Sequence, residues 1–158
     1  MSRPTLIFVC TGNTCRSPLA EGLARKLAAE RGLYVEITSA GTAAALGAPA
    51  TDAAILVGIE RGVDLSRHRS RPLLPDEIPP GAILLTMSSS HAAGARALAP
   101  KARVYLLDEY ASNGLTSHAI ADPFGGDLND YRRAADEIES MLDGVLDRLS
   151  AERNADRS

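Results

Sequence analysis

The chain has 158 residues and a mass of 16.6 kDa, the size of one domain that can bury its own hydrophobic core. Apolar residues make up 45% and charged residues 23%, which excludes a disordered or fibrous protein. The net charge of −3 provides no overall positive field for nucleic acid or anionic lipid. Apolar runs stay well short of the roughly 20 residues of a membrane span. We therefore expect neither a nucleic-acid nor a membrane partner.

Strand-like and helix-like segments alternate along the chain, and no repeat or Pro/Gly/Ser-rich linker divides them. Short apolar or β-rich runs predict strands at residues 5–9, 35–40, 82–87 and 103–107. Apolar residues at helical spacing predict helices at residues 18–31, 51–61, 89–98 and from about 130 to 149. This alternation is typical of an α/β protein with a parallel sheet covered by helices on both faces. We expect a single domain over residues 1–150, with surface loops at 42–49 and 69–80, and a polar tail over 151–158 that frays.

The N-terminus and the cysteine content together predict a cytoplasmic protein. The first apolar run is short, ends at Cys10, and is not followed by the small-residue cleavage site of a signal peptide. Two cysteines, Cys10 and Cys15, are too few for a disulfide scaffold. In a reducing compartment such thiols indicate chemistry or metal binding before cross-linking. A zinc site is excluded because no further ligands follow at suitable spacing.

The loop after the first predicted strand has the composition of an oxyanion site. It reads Cys10-Thr11-Gly12-Asn13-Thr14-Cys15-Arg16-Ser17-Pro18. Ligands of open α/β sheets bind beyond the carboxyl ends of strands, where the N–H groups of a loop entering a helix form an anion nest. Arg16 offers a planar fork of donors that matches two phosphoryl oxygens. Neither a Walker-type ending nor a dinucleotide glycine triplet is present.

The same loop supplies a nucleophile. A positive field favours the thiolate form of Cys10, and Ser17 can donate a hydrogen bond to its sulfur, which also makes that sulfur a better leaving group. Gly12 can adopt backbone angles that other residues resist. The alternative is a buried cysteine and a surface arginine at a coincidental spacing.

Residues 9–18 closely resemble the signature of the low-molecular-weight protein-tyrosine phosphatase family, and the resemblance extends over nearly the whole chain. Residues 39–42 resemble its second strand, residues 65–70 its histidine loop, and Asp122-Pro123-Phe124 its general-acid loop. The resemblance implies a three-layer sandwich with a four-stranded parallel sheet, which is flavodoxin-like or phosphotyrosine phosphatase I-like. It also implies hydrolysis without metal or cofactor, phosphorylated proteins as substrates, and inorganic phosphate or other oxyanions as ligands of the loop.

The resemblance also assigns roles to individual residues. It implies that Cys10, Arg16 and Asp122 are catalytic. Asp122 would protonate the leaving group and later activate water. Pro123 restricts the backbone of Asp122 to extended conformations. The alternative is that Asp122-Pro123 is a simple turn. Substrate would contact a further set of residues: Thr11, Gly12, Asn13, Thr14, Cys15, Ser17 and Phe124. The loop would be braced by three residues: Asn13, Ser39 and His68.

Other polar residues receive no specific role at this stage. His91 and His118 are interpreted as ordinary surface or core histidines. The three arginines that flank His68, namely Arg67, Arg69 and Arg71, are interpreted as a solvated loop face, with attraction of phosphorylated substrate as the alternative.

Two positions bear on the choice of substrate. Tyrosine-specific members of the family usually carry a larger aliphatic residue at the position of Thr14 and a second aromatic residue at that of Gly125. The small side chain of Thr14 leaves space for a planar guanidinium, and its hydroxyl can form a hydrogen bond with that group, so it suits a guanidinium better than a phenol ring. Thr14 with residues 122–126 is similar to the bacterial protein-arginine phosphatases of the family, so we expect hydrolysis of phosphoarginine. Phosphotyrosine is the alternative, with Thr14 as a neutral variant.

Cys15 has two interpretations, a small buried residue or a partner that traps Cys10 as a reversible disulfide. Two rival functions are also considered. A thiol-dependent arsenate reductase would need further cysteines downstream, and the chain has none after Cys15. A non-catalytic phosphoprotein-binding module would not need an acid at Asp122.

Overall fold

The computed structural model describes residues 3–156. Four strands, β1 (Thr5–Cys10), β2 (Glu36–Gly41), β3 (Ile83–Thr86) and β4 (Arg103–Leu106), form one parallel sheet in the order β2-β1-β3-β4. The predicted strands are confirmed to within two residues at each end. The central strand β1 is buried along its whole length, as its unbroken apolar run indicates.

Within residues 3–156, five α-helices connect and follow the strands: α1 (Arg16–Glu30), α2 (Asp52–Glu60), α3 (Ser89–Leu98), α4 (Leu107–Ala111) and α5 (Leu128–Asp156). The side chain of Thr51 caps α2 and that of Ser88 caps α3, because each accepts a backbone N–H of the first turn. A short 3₁₀ helix, Pro75–Glu77, lies in the segment predicted as a loop. Among the described helices, none combines the length and the apolar character that a bilayer span requires.

The two faces of the sheet carry separate hydrophobic clusters. Leu6 and Phe8 of β1 point to the larger cluster, which includes apolar residues of α1, α2, α4 and α5. Ile7 and Val9 point to the smaller one, which includes Ala92 of α3. Because successive side chains of a strand point to opposite faces of the sheet, β1 contributes residues to both clusters. The predicted three-layer α/β sandwich is confirmed.

Two elements near the C-terminal half differ from the prediction. Leu107, predicted to end the fourth strand, begins α4, where Glu109 accepts a hydrogen bond from the backbone N–H of Leu106. Helix α5 does not end near residue 149 but continues to Asp156. Glu152 in that extension accepts hydrogen bonds from Arg103 and from the hydroxyl of Tyr110, so residues 150–156 are helical and tied to the domain instead of frayed. Residues 157–158 of the predicted tail lie outside the described residues.

Candidate active site

The loop between β1 and α1, residues 11–15, turns its carbonyl groups away from its centre. The carbonyl oxygens of Cys10, Thr11 and Thr14 accept backbone hydrogen bonds from residues 42, 43 and 51, at 2.9 to 3.0 Å. The carbonyl of Asn13 accepts one from Nε2 of His68 at 2.7 Å. In a trans peptide the N–H points opposite to the C=O, and no cis peptide occurs in the described chain. The N–H groups that follow these carbonyls therefore face inward, as an anion nest requires.

Asn13 holds the loop in this shape. Its backbone has a φ of 57°, in the left-handed region that asparagine tolerates better than most residues. Its side chain is fully buried and donates to the hydroxyls of Ser17, at 2.8 Å, and Ser39, at 2.9 Å. Its Oδ1 accepts the backbone N–H of Arg71 at 3.0 Å. Four segments of the chain are thus joined at one side chain.

The thiol of Cys10 lies at the carboxyl end of β1, 2.9 Å from the hydroxyl of Ser17. Because Ser17 already accepts a hydrogen bond from Asn13, its own proton is free to be donated to the sulfur. Both side chains are buried, so this hydrogen bond is shielded from water. A hydroxyl in this position can donate to the sulfur of a cysteine that acts as a nucleophile.

Gly41, at the end of β2, allows the loop to approach the sheet. A Cβ atom at this position would lie 2.3 Å from the carbonyl oxygen of Thr11 and 3.1 Å from the backbone nitrogen of Asn13. Backbone atoms cannot move aside as a flexible side chain can, so only glycine fits here.

Arg16 links the loop of residues 11–15, called the phosphate loop below, to the segment that carries Asp122. Arg16 is only 6% exposed, and its guanidinium donates from Nη1 to the carbonyl of Ile120 at 2.8 Å. Its Nη2 lies 3.6 Å from Oδ2 of Asp122, whose carboxylate remains more than half exposed. The other oxygen of Asp122 accepts the backbone N–H of Phe124 at 3.0 Å, which turns the loop back on itself. The loop is anchored further by Ile120, whose N–H donates to the carbonyl of Met87 just after β3.

A cavity of about 230 Å³ opens between the phosphate loop and the Asp122 segment. It is lined by Cys10, Thr11, Gly12, Thr14, Cys15, Arg16, Asp122 and Phe124. All these residues belong to the sequence-predicted set. Asn13, Ser17, Ser39 and His68 lie behind the loop, so the side chains of Asn13 and Ser17 do not face the cavity. Within the part of the chain that the structure describes, no group of His, Cys, Asp and Glu side chains is arranged to hold a metal ion.

His91 is a site residue that sequence reasoning missed. Its Nε2 lies 2.7 Å from the hydroxyl of Thr11, and its Nδ1 lies 2.9 Å from that of Ser88. Burial, and after it the positive charge of Arg16, lowers the pKa of His91, with a smaller opposing effect of Asp122. The signal in the sequence was the position of His91, in the first helical turn after a predicted central strand, where side chains reach the same sheet edge as Cys10. His118 is exposed, as its ordinary interpretation allows.

Arg71 and Glu21 also support the loop. The prediction of a solvated face is wrong for Arg71, whose guanidinium donates to the carbonyl of Ser39 at 2.9 Å and to the hydroxyl of Thr38 at 3.1 Å. Glu21 accepts the hydroxyl proton of Ser39 at 2.6 Å. Both contacts join residues far apart in sequence, which local patterns cannot reveal. Arg67 and Arg69 are exposed.

The comparison with family models agrees with this geometry. Residues 5–155 match the model described as low molecular weight phosphotyrosine protein phosphatase. The chain belongs to this family. The match covers every strand and nearly all of α5.

Individual relatives within the phosphatase family carry two kinds of name. A protein-arginine-phosphatase of Geobacillus stearothermophilus is 38% identical over 94% of this chain and 97% of its own. The low molecular weight protein-tyrosine-phosphatase Etp of Escherichia coli K12 is 34% identical over 94% of this chain and 90% of its own. A solved structure of the YwlE arginine phosphatase, a cysteine-to-serine mutant with a phosphorylated active-site serine, has a TM-score of 0.84 and 33% identity, and covers 95% of this chain and 98% of that one.

Proposed function

We propose that this phosphatase hydrolyses phosphoarginine in proteins, with Cys10 as the nucleophile. The observation that carries the proposal is the lining of the cavity, where Thr14 and Asp122 lie beside one aromatic residue, Phe124. Gly125 follows with a φ of 80° and open space around it, so no second aromatic wall is present at that position. The identity to a named protein-arginine-phosphatase supports this choice of substrate.

In the first step the phosphoryl group enters the loop, where the inward N–H groups and Arg16 bind its oxygens. The Cys10 thiolate attacks phosphorus, a P–S bond forms, and the P–N bond to the guanidino group breaks. Asp122 donates its proton to the leaving nitrogen, which departs as neutral guanidine and then takes up a second proton from water. The phosphorylated serine in the YwlE mutant supports a covalent intermediate on the corresponding cysteine of the loop.

In the second step Asp122, now a carboxylate, removes a proton from water as that water attacks the phosphocysteine. The P–O bond forms, the P–S bond breaks, and inorganic phosphate is released while Asp122 is again protonated. The hydroxyl of Ser17, 2.9 Å from the sulfur, stabilises the departing thiolate. The enzyme returns to its starting state without a cofactor.

Substitution of Thr14 by isoleucine tests the choice of substrate. The larger aliphatic side chain removes a hydroxyl from the cavity wall and adds apolar surface that suits a phenol ring. We expect the ratio of kcat/KM on phosphoarginine to that on phosphotyrosine peptides to fall by about tenfold. Steady-state rates on both peptides, measured side by side, give the ratio.

The matched control for this substitution is Thr116→Ile, which makes the same change at an exposed position outside the cavity. This control should keep the wild-type ratio. A wild-type enzyme that turns over phosphotyrosine faster than phosphoarginine would favour the alternative function, and an unchanged ratio in Thr14→Ile would remove Thr14 from the specificity determinants.

We also infer that Cys15 protects Cys10 from irreversible oxidation. Both cysteines are free thiols and line the same cavity. Peroxide would convert the Cys10 thiolate to a sulfenic acid, and the Cys15 thiol would displace hydroxide from that sulfur to form a disulfide and water. Cys15 is held by the buried hydroxyl of Tyr131, 3.5 Å from its sulfur, and burial raises the pKa of Tyr131 to about 12. Such thiol chemistry, which must be reversed by reduction, fits the expected cytoplasmic location.

Mild peroxide treatment followed by mass spectrometry tests this role of Cys15. The native protein should lose two hydrogen atoms and recover its activity with dithiothreitol. The Cys15→Ser variant should instead gain two or three oxygen atoms at Cys10 and stay inactive. Sulfinic or sulfonic acid at Cys10 in the native protein under the same treatment would contradict the protective role.

A further inference from the structure

Thr11, on the wall of the cavity, and His91, buried behind it, form a polar pair. Thr11 is exposed and lines the cavity directly after Cys10. Its hydroxyl lies 2.7 Å from Nε2 of His91, which is buried in the first turn of α3. The other ring nitrogen lies 2.9 Å from the hydroxyl of Ser88, the residue that caps α3. The steps proposed above do not use this pair.

The contacts hold the imidazole in one orientation. Ser88 contacts Nδ1 with its hydroxyl and also accepts the backbone N–H of His91 at 3.4 Å, so ring and helix start are tied to the same oxygen. Burial, and after it the charge of Arg16, lowers the pKa of His91, which favours the neutral form of the ring. A neutral imidazole has one donor and one acceptor nitrogen, and therefore makes one hydrogen bond with Thr11.

Either tautomer leaves an acceptor free on Thr11. If Nε2 donates, it occupies one of the two lone pairs of the threonine oxygen, and the other remains. If Nε2 accepts, the threonine uses its proton and both lone pairs remain. A residue that lines the cavity therefore keeps an unused hydrogen-bond acceptor, and a buried side chain sets the direction of its hydroxyl. An unsupported hydroxyl at an exposed position would rotate freely and lose entropy on binding.

The chemistry of an acceptor distinguishes the two candidate leaving groups. The guanidino group of phosphoarginine carries several N–H donors around a planar centre, and all of them need acceptors when the cavity excludes water. The ring of phosphotyrosine carries none next to the phosphate. Asp122 provides acceptors from one segment of the cavity wall, and Thr11 provides another from the phosphate loop.

We propose that Thr11 is a specificity-determining acceptor for guanidino N–H groups and that His91 is the positioning residue that directs it. The proposal rests on phosphoarginine as the substrate. It predicts that the pair contributes to binding the guanidino group in both ground state and transition state, so that its loss raises KM for phosphoarginine more than it lowers kcat.

Two substitutions test the pair. Thr11→Val keeps the shape and removes the hydroxyl, and His91→Leu removes the support of that hydroxyl. In Thr11→Val we expect the ratio of kcat/KM for a phosphoarginine peptide to that for a phosphotyrosine peptide of the same sequence to fall by about tenfold, as for one lost hydrogen bond. His91→Leu should change the ratio in the same direction, and His91→Gln, which can still bond Thr11, should restore part of it.

Thermal unfolding of each variant separates a loss of fold from a loss of specificity, and His118→Gln is the matched control at an exposed histidine. If Thr11→Val leaves the ratio of kcat/KM on the two peptides unchanged, as an equal loss on both would, the proposal is overturned. The nearly isosteric Thr11→Val decides the question even if His91→Leu fails to fold. If the wild type prefers phosphotyrosine, the proposed function is contradicted but the role of Thr11 is not. That role is decided separately, by whether Thr11→Val changes the ratio of kcat/KM on the two peptides.

Discussion

Replacement of Cys10 by serine should abolish turnover of phosphoarginine and phosphotyrosine peptides while the protein still binds inorganic phosphate. A serine hydroxyl is far less ionised than a thiol in the same environment, so we expect a loss of at least about 10³-fold in kcat. In the proposed mechanism the loop N–H groups and Arg16 bind the oxyanion, and the substitution leaves them in place. Steady-state kinetics measures the loss, and isothermal titration with phosphate measures the retained binding.

The structure indicates that this variant will fold. Serine is smaller than cysteine, and its hydroxyl can still form a hydrogen bond with Ser17. Its melting temperature should therefore stay close to that of the wild type. Turnover that persists in Cys10→Ser would show that another group attacks phosphorus, and absent phosphate binding with an intact fold would show that the loop is not an oxyanion site.

Replacement of Asp122 by asparagine should slow hydrolysis by about 10²- to 10⁴-fold, the usual contribution of a general acid. The amide cannot supply a proton to the leaving group or remove one from water. It keeps the oxygen that accepts the backbone N–H of Phe124, so the turn should persist. The kcat on phosphoarginine peptides reports the effect, and an aryl phosphate with a good leaving group should lose less, because its departure needs less protonation.

The matched control for Asp122 is Asp127→Asn in the same segment. Asp127 accepts the N–H of Asp130 at the start of α5 and does not line the cavity. Asparagine is an equally good helix cap, so activity and stability should both remain near wild type. An unaffected rate in Asp122→Asn would place the general acid elsewhere, whereas an equal loss in both variants would indicate a general effect of the segment.

The position of Arg16 explains how the two halves of the site are held before substrate arrives. Its Nη1 donates to the carbonyl of Ile120 and its Nη2 lies near Asp122, so the guanidinium holds the segment that carries Asp122 across the cavity from Cys10. An incoming phosphoryl group would compete with Asp122 for the same nitrogen. Because the pair with Asp122 is more than half open to solvent on the carboxylate side, it contributes little stability and can be exchanged at low cost.

Much of the fold could be predicted from local patterns. The apolar run of β1 and the helical spacing in α1 are short-range signals, and both elements formed as expected. Helix α4 was missed because its five residues are too short for a period to appear. The end of α5 was misplaced because Glu152 gains its partners from Arg103 and Tyr110, which no pattern around residue 152 reveals.

At the site, sequence motifs likewise predicted some of the residues and missed others. The residues that line the cavity lie within one loop and one Asp-Pro segment. Residue types and spacing were sufficient to find the loop, whereas Asp122 and Phe124 were found through the resemblance to the family. The roles of Arg71 and His91 were not predicted, because neither residue belongs to a motif, and the position of His91 after a predicted central strand was the only signal for it. Their roles follow from hydrogen bonds to Ser39 and Thr11, 32 and 80 positions away in the chain.

The amino-acid order by itself thus determined a strand, a nucleophilic loop and a helix, because backbone preferences and anion-binding N–H groups act between near neighbours. Only the tertiary structure decided the strand order β2-β1-β3-β4, which places the ends of β2 and β3 on either side of Cys10. That order brings Ser39 and His91 to the loop from opposite sides. The physical reason is that hydrogen bonds over such separations exist only after the sheet has assembled and both of its faces are buried.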